Sequence, residues 1–287
     1  MILLHQLDSP LMRRAVLEAI LVGALCGTAG AHVLLRRLPF FTLALSHATF
    51  PGVVLASIAG VSLYVGGATT AMGLVVAVAV LGSARRLDAS AATGVALSGA
   101  FGLGVLLQSA QPGASKDLAA FLVGDVFTVT PADLVTTILV GALVVGALAL
   151  FHKEFVFGAF DPDGAAAAGY PVFLLDLGVL AVVALTVVTS IPAVGTILVV
   201  SLLVTPPLAA RLWTDRVGSM MGLSAVLGAA AGLGGIAASA QWGVAGGAAI
   251  TLTATALLVV SVLAVPVRAA LHRATAAGSW RRVLTSP

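Results

Sequence analysis

Nine stretches of about 20 apolar residues recur along this chain of 287 residues, parted by short polar or glycine-rich connectors. A helix needs about that length to cross a bilayer, because it rises ~1.5 Å per residue against a hydrocarbon core ~30 Å thick. The stretches fall at 15–35, 40–60, 63–83, 91–109, 132–151, 172–190, 193–211, 218–238 and 244–267. In hydrocarbon every backbone amide must be paired within the chain, which long apolar runs achieve as helices. The sequence therefore predicts an all-α, polytopic integral membrane protein of about nine transmembrane helices, eight being possible. Composition agrees, since 9% of the residues are charged where soluble domains carry roughly 25%.

The connectors alternate in charge. Those at 36–37, 85–86, 152–153 and 211–216, with the tail from 268, hold eleven of the 14 Lys and Arg residues. The amino terminus and the connectors near 61, 110–117, 191 and 240 hold only Arg13, Arg14 and Lys116. Basic residues flanking spans stay on the cytoplasmic side. That predicts the amino terminus outside and the carboxyl terminus in the cytoplasm. The formal charge of +3 is then a matter of topology, and no nucleic-acid partner is expected. The one cysteine, Cys26, lies within the first span, so no disulfide framework forms within the chain. The first apolar run has no small-residue cleavage site and leads into Arg36-Arg37, which marks it as a retained span.

Ionisable residues inside spans are expensive and mark pathways or partners. His47 is the clearest, set within Phe40-Phe41-Thr42-Leu43-Ala44-Leu45-Ser46-His47-Ala48-Thr49-Phe50-Pro51-Gly52. Glu18 and His32 lie near the outer and inner ends of the first span, where they are expected to snorkel or contact the interfaces. Small residues four apart, at Gly23 and Gly27 and again at Gly228 and Gly232, permit close helix approach within the bundle. The stretch 110–131 is polar through Asp117, then apolar but too short to span, which predicts an external or re-entrant helix ending at Gly124-Asp125. Asp117, Asp125 and Asp133 form an outer acidic group. They either draw cations to the mouth or cap the short helix and the fifth span; the spacing leaves both open. Asp176 is expected to cap the sixth span, and Asp88 and Asp215, beside arginines, to be solvated.

The longest cytoplasmic connector, 152–171, spells a short helix. Asp161 suits the N-cap, Pro162 the first helical position, and Asp163 the positive helix end. Gly169 can close the helix in the left-handed conformation, and Pro171 stops its continuation. So small a helix has no core of its own; it either docks against something or is a surface turn. Enzymatic chemistry is not expected. Neither Lys116 nor Lys153 follows the glycine pattern of a phosphate-binding loop, and no HExxH, GxSxG or paired-carboxylate arrangement occurs. Ser46 and His47, as neighbours, point to different helix faces.

Four stretches together resemble the membrane permeases of metal-type ABC importers, which carry zinc, manganese or iron. The first is Val33-Leu34-Leu35-Arg36-Arg37 with Phe40-Phe41, Ala44-Leu45-Ser46-His47-Ala48 and Pro51-Gly52. The second is Asp117 with Phe121-Leu122-Val123-Gly124-Asp125 and Asp133. The third is Phe160-Asp161-Pro162 with Ala165 and Gly169. The last runs from Val194-Gly195-Thr196 through Thr205-Pro206-Pro207 to Ala209-Ala210-Arg211. The resemblance covers nearly the whole chain and implies one transmembrane permease domain over 1–287, working as a homodimer in the cell membrane. It further implies two separate ATPase chains on the cytoplasmic face and an extracytoplasmic binding protein. The helix at 161–169 would be the coupling helix that seats in the ATPase, through Asp161, Pro162, Asp163 and Gly169. No tightly bound cofactor is implied; the divalent metal is cargo, and ATP belongs to the partner.

One position departs from the family. Its second span commonly carries an aspartate one turn before the histidine, on the same helix face, and here that residue is Leu43. His47 is then a metal contact shared between two copies, a hydrogen-bonded structural histidine, or the mark of a changed cargo. A metal chelate such as a siderophore or haem is the alternative substrate. An ion-driven secondary transporter is the alternative class, although no matching pair of broken segments supports it.

Overall fold

The computed structural model describes the backbone of residues 9–83, 89–110 and 124–284. Every regular element among them is helical: α1 (Pro10–Leu35), α2 (Pro39–Ala48), α3 (Phe50–Ala59), α4 (Leu63–Ser83), α5 (Ala89–Ser109), α6 (Pro131–Leu150), α7 (His152–Phe160), α8 (Pro162–Ala167), α9 (Val172–Val194), α10 (Thr196–Arg211), α11 (Val217–Trp242) and α12 (Gly246–Leu284). A 3₁₀ turn, Val126–Thr128, precedes α6. Local chemistry sets the starts. Ser9 Oγ accepts from the Met12 amide at 3.2 Å, with Pro10 in the first turn of α1. Thr130 and Asp133 close a capping box at the start of α6.

Eight of the nine expected spans are long and apolar enough to cross a membrane. The exception is α10, whose 16 residues make a helix of roughly 24 Å, short of the bilayer core. The fold compensates at one end. Gly195 alone joins α9 to α10, at φ 92°, and the turn is buried, with Val194 and Thr196 at 0% and 2% exposure. The chain at 124–128 folds over it. The Asp125 amide donates to the Pro192 carbonyl at 3.2 Å, and Gly124 lies so close to Gly195 that a Cβ would strike its backbone. The turn was expected near 191, but α9 continues through Pro192 to Val194. The short helix expected over 118–124 lies, except for Gly124, outside the described residues.

The second span, Pro39–Ala59, is interrupted at Thr49 between α2 and α3 by the loss of a hydrogen bond, while Thr49 keeps helical backbone angles. Pro51 has no amide hydrogen, so the His47 carbonyl loses its helical donor. The break therefore follows directly from the sequence around the histidine.

At the centre of the bundle stands α1, packed against α6, α9, α10 and α11. Its tightest crossing is with α11. A Cβ on Gly23 would strike the Gly228 carbonyl, one on Gly228 would strike that of Gly23, and one on Gly27 would strike that of Ser224. The two stripes of small residues thus pack on each other within one chain, as close approach in lipid requires. By contrast, only 17% of the apolar stretch is buried in α5 and in α6, against 67% in α1. Those outer faces are left to lipid or to another subunit.

Candidate functional site

His47 closes the last turn of α2, half-buried, one residue before the helix breaks. Its ring meets Phe101 of α5 edge-on, with centroids 5.6 Å apart. Leu43, one turn earlier, is also half-buried, whereas Thr42, Ala44, Leu45 and Ser46 are buried. Leu43 and His47 therefore share the open face of α2, as an i, i+4 pair should. The nearby hydroxyls do not supply the missing acid. Thr42 Oγ1 donates to the Pro39 carbonyl at 2.7 Å and Ser46 Oγ to the Thr42 carbonyl at 2.9 Å, so both are spent on their own helix. The imidazole itself has no hydrogen-bond partner among the described residues. Among the described residues no three His, Cys, Asp or Glu side chains converge as metal ligands.

Of the outer acidic residues, Asp125 and Asp133 each make a capping contact. Asp125 Oδ1 accepts from the Phe127 amide at 3.0 Å and starts the 3₁₀ turn. Asp133 Oδ2 accepts from the Thr130 amide and hydroxyl at 2.8 and 2.7 Å, while Oδ1 accepts from the Tyr64 hydroxyl at 2.9 Å. Asp117 and Asp88 lie outside the described residues. Asp215 is exposed beside Arg211, at 3.5 Å.

On the other side of the molecule, α8 forms as its residues dictate. Asp161 Oδ1 accepts from the Gly164 amide at 2.8 Å, and Pro162 holds the first position. At the far end the Tyr170 amide donates to the Ala165 carbonyl and the Gly169 amide to that of Ala166, both at 3.0 Å. Gly169 sits at φ 86°, which completes a Schellman closure. Ala165 alone is buried in this helix; Asp161, Pro162, Asp163 and Gly169 are exposed. Exposed aromatic rings surround it, among them Phe160 at 66% and Tyr170 at 41%.

Three functional-looking residues stand where sequence reasoning did not put them. Glu18 and His32, expected at the interfaces, are in the core at 1% and 0% exposure. The cause is the central position of α1, whose neighbours cover both ends. Glu18 accepts from Thr137 Oγ1 of α6 at 2.6 Å, and its second oxygen is buried without a partner among the described residues. Asp176 does not cap α9, which starts without a side-chain cap; it pairs instead with Arg36. No spacing signal links Arg36 to Asp176, because they are 140 residues apart. The Glu18 pair yields a prediction. Thr137→Val strips the donor from a buried carboxyl and should destabilise the protein by about 1–3 kcal/mol. Glu18→Gln, which still accepts that bond, should cost less; thermal unfolding in detergent measures the difference.

Eight helices long and apolar enough to span a membrane, with a small exposed helix between two of them, describe a polytopic membrane protein. Residues 8–265 match the ABC 3 transport family, and the chain belongs to that family. It is 33% identical over 262 residues to the manganese transport system membrane protein MntC of Halalkalibacterium halodurans, covering 91% of this chain and 90% of that one. Its identity to the zinc transport system membrane protein TroC of Treponema pallidum is 32% over 282 residues, covering 94% and 93%. The solved structure of PsaBC from Streptococcus pneumoniae in complex with Fab aligns at a TM-score of 0.78 and 30% identity, over 90% of this chain and 94% of that one.

Proposed function

We propose that this chain is the transmembrane permease of an ATP-driven importer for a divalent transition metal (manganese, zinc or iron). The observation that carries the reading is His47: an imidazole on the open face of the second span, without a hydrogen-bond partner among the described residues, in a family whose relatives are named for manganese and zinc transport. Imidazole suits zinc and related transition metals. One histidine is too little to hold an ion firmly, which suits cargo that must be released. Two copies of the single permease domain, 1–287, would bring two His47 rings to a shared pathway. Asp117, Asp125 and Asp133 would raise the cation concentration at the outer mouth, where an extracytoplasmic binding protein delivers the metal. The chain lies in the cell membrane with its amino terminus outside and its carboxyl terminus in the cytoplasm.

The motor is another protein. An ATPase subunit would receive α8 in a cleft, its closure driven by ATP, and the push on Asp161, Pro162, Asp163 and Gly169 would switch the dimer between outward and inward access. The exposed aromatic rim around a helix with one buried residue supports docking there over a solvated turn. The test is reconstitution with ATPase and binding protein in liposomes, with manganese, zinc and iron uptake measured with and without ATP. ATP-dependent accumulation of at least one metal is expected, and none of any would overturn the reading. Asp161→Ala with Gly169→Ala removes a cap worth about 1 kcal/mol and places a Cβ in a left-handed residue. This pair should lower metal moved per ATP several-fold while the spans stay folded.

A further inference from the structure

We infer that Arg36 is the joint through which movement of α8 reaches the helix carrying His47; this rests on the coupling role proposed for α8. The helix packs on its chain neighbours α7 and α9, so these are the two arms through which a push on it travels. Arg36, the residue that ends α1, holds both. One guanidinium nitrogen forms an ion pair with Asp176, in the second turn of α9. The other donates to the Phe155 carbonyl of α7 at 3.3 Å, and it lies 3.5 Å from where a Cβ on Gly158 would stand. A planar guanidinium can make these two contacts at once; an ammonium is a point charge without that fork.

The load then has a short path onward. Arg36 donates its amide to the His32 carbonyl at 3.0 Å, and the Leu38 amide donates to the Val33 carbonyl at 2.8 Å. That tight turn, with Arg37 at φ 56°, leads directly into α2. His47 follows about two helical turns later. A shift of either arm against α1 is therefore delivered to the start of the helix that presents the imidazole.

A second observation bears on whether this joint can rearrange. Both ring nitrogens of His32, Nε of Arg36 and one oxygen of Glu154 are buried without partners among the described residues. All three residues sit on α1 or α7, and His32 stacks edge-on against Phe155 at 5.9 Å. Buried polar atoms are nearly always paired. A donor in Arg36 and an acceptor in Glu154, the chain neighbour of Phe155, are both unspent, which leaves a pairing between them open to a moved α7.

The test uses the full complex of permease, ATPase and binding protein in liposomes, with metal uptake and ATP hydrolysis measured together. Arg36→Lys keeps the positive charge that topology needs but cannot hold both arms, and Asp176→Asn keeps the shape but not the charge. Each is expected to assemble with the ATPase, hydrolyse ATP within about twofold of wild type, and move about tenfold less metal per ATP. The double variant should lose no more than either single one, because both act on one contact. Wild-type transport per ATP in both variants would overturn the inference. So would a loss that tracks a fall in unfolding temperature or in assembled complex, since Arg36 would then be structural only. Asp161→Ala with Gly169→Ala, run in parallel, separates the two ideas. If that pair uncouples and Arg36→Lys does not, only the joint is wrong; if that pair leaves coupling intact, the role of α8 falls and the joint falls with it.

Discussion

Gly228→Ala should lower the unfolding temperature sharply, and Gly228→Val should prevent folded protein from accumulating. The reason is the reciprocal crossing of α1 and α11, where a Cβ on either Gly23 or Gly228 meets the carbonyl of the other. A side chain struck in this way could rotate aside, but a backbone carbonyl within a helix cannot. The helices must separate, and α1 is the element against which most of the bundle packs. Over-packing a well-filled interior costs about 1–3 kcal/mol even where side chains yield, so Gly228→Ala should lie at or above the top of that range. Association in lipid draws on close contact rather than a hydrophobic force, which makes lost contact hard to recover elsewhere. Against a typical net stability of ~5–15 kcal/mol, the larger valine is expected to leave little folded protein. Gly73→Ala is the control, because a Cβ there meets nothing within 4 Å. It should be neutral or stabilising by up to about 1 kcal/mol through helix propensity. Equal unfolding temperatures for Gly228→Ala and Gly73→Ala in detergent would show that the crossing is not tight.

Features that depend on nearby residues were legible in the chain. Span length, the caps of α8 and the spacing of Gly23 with Gly27 each rest on a few neighbours; the caps and the glycine pair emerged where expected, and span length did so for eight of the nine stretches. The break in the second span was written in Pro51 as well, though a hydropathy window runs across it unbroken. The buried turn at Gly195 was displaced by four residues for the same reason: a turn sealed beneath 124–128 is as apolar as the helices it joins. Glu18 and His32 show a different limit. An ionisable residue near the end of a span reaches water only if no neighbour covers it, and which helices surround α1 is a property of the assembled bundle. The clamp of Arg36 on Asp176 and Phe155 is of the same kind. As for the candidate site, His47 was plain from the residues, and the family resemblance marked Leu43 as the place of the absent acid. That Thr42 and Ser46 are turned onto their own backbone, and that Leu43 shares the open face, required the fold.

His47→Ala should cut ATP-dependent metal uptake by about 100-fold, the upper end of what loss of even a supporting group costs a metal site. The imidazole makes no hydrogen bond among the described residues, and its one defined contact is the edge of Phe101. Its removal should therefore leave expression and unfolding temperature near wild type. Unchanged uptake by a normally expressed variant would rule out a metal contact. The sharper experiment restores what the family resemblance says is absent. Leu43 and His47 are half-buried on one face, with buried residues on either side, so Leu43→Asp places a carboxylate beside the imidazole at i, i+4. Two copies facing one another would then offer two nitrogens and two carboxylates instead of two nitrogens alone. Carboxylate favours manganese, whereas imidazole favours zinc and its neighbours. The variant should thus lower the manganese concentration for half-maximal uptake by about tenfold, since one added charged contact is worth roughly 1.5–3 kcal/mol. Zinc uptake should change less, and turnover should slow as the ion is held longer. An unchanged manganese-to-zinc ratio would mean that residue 43 does not face the path of the metal. Loss of transport for both metals, with the protein still folded, would mean that this permease works because its site is weak.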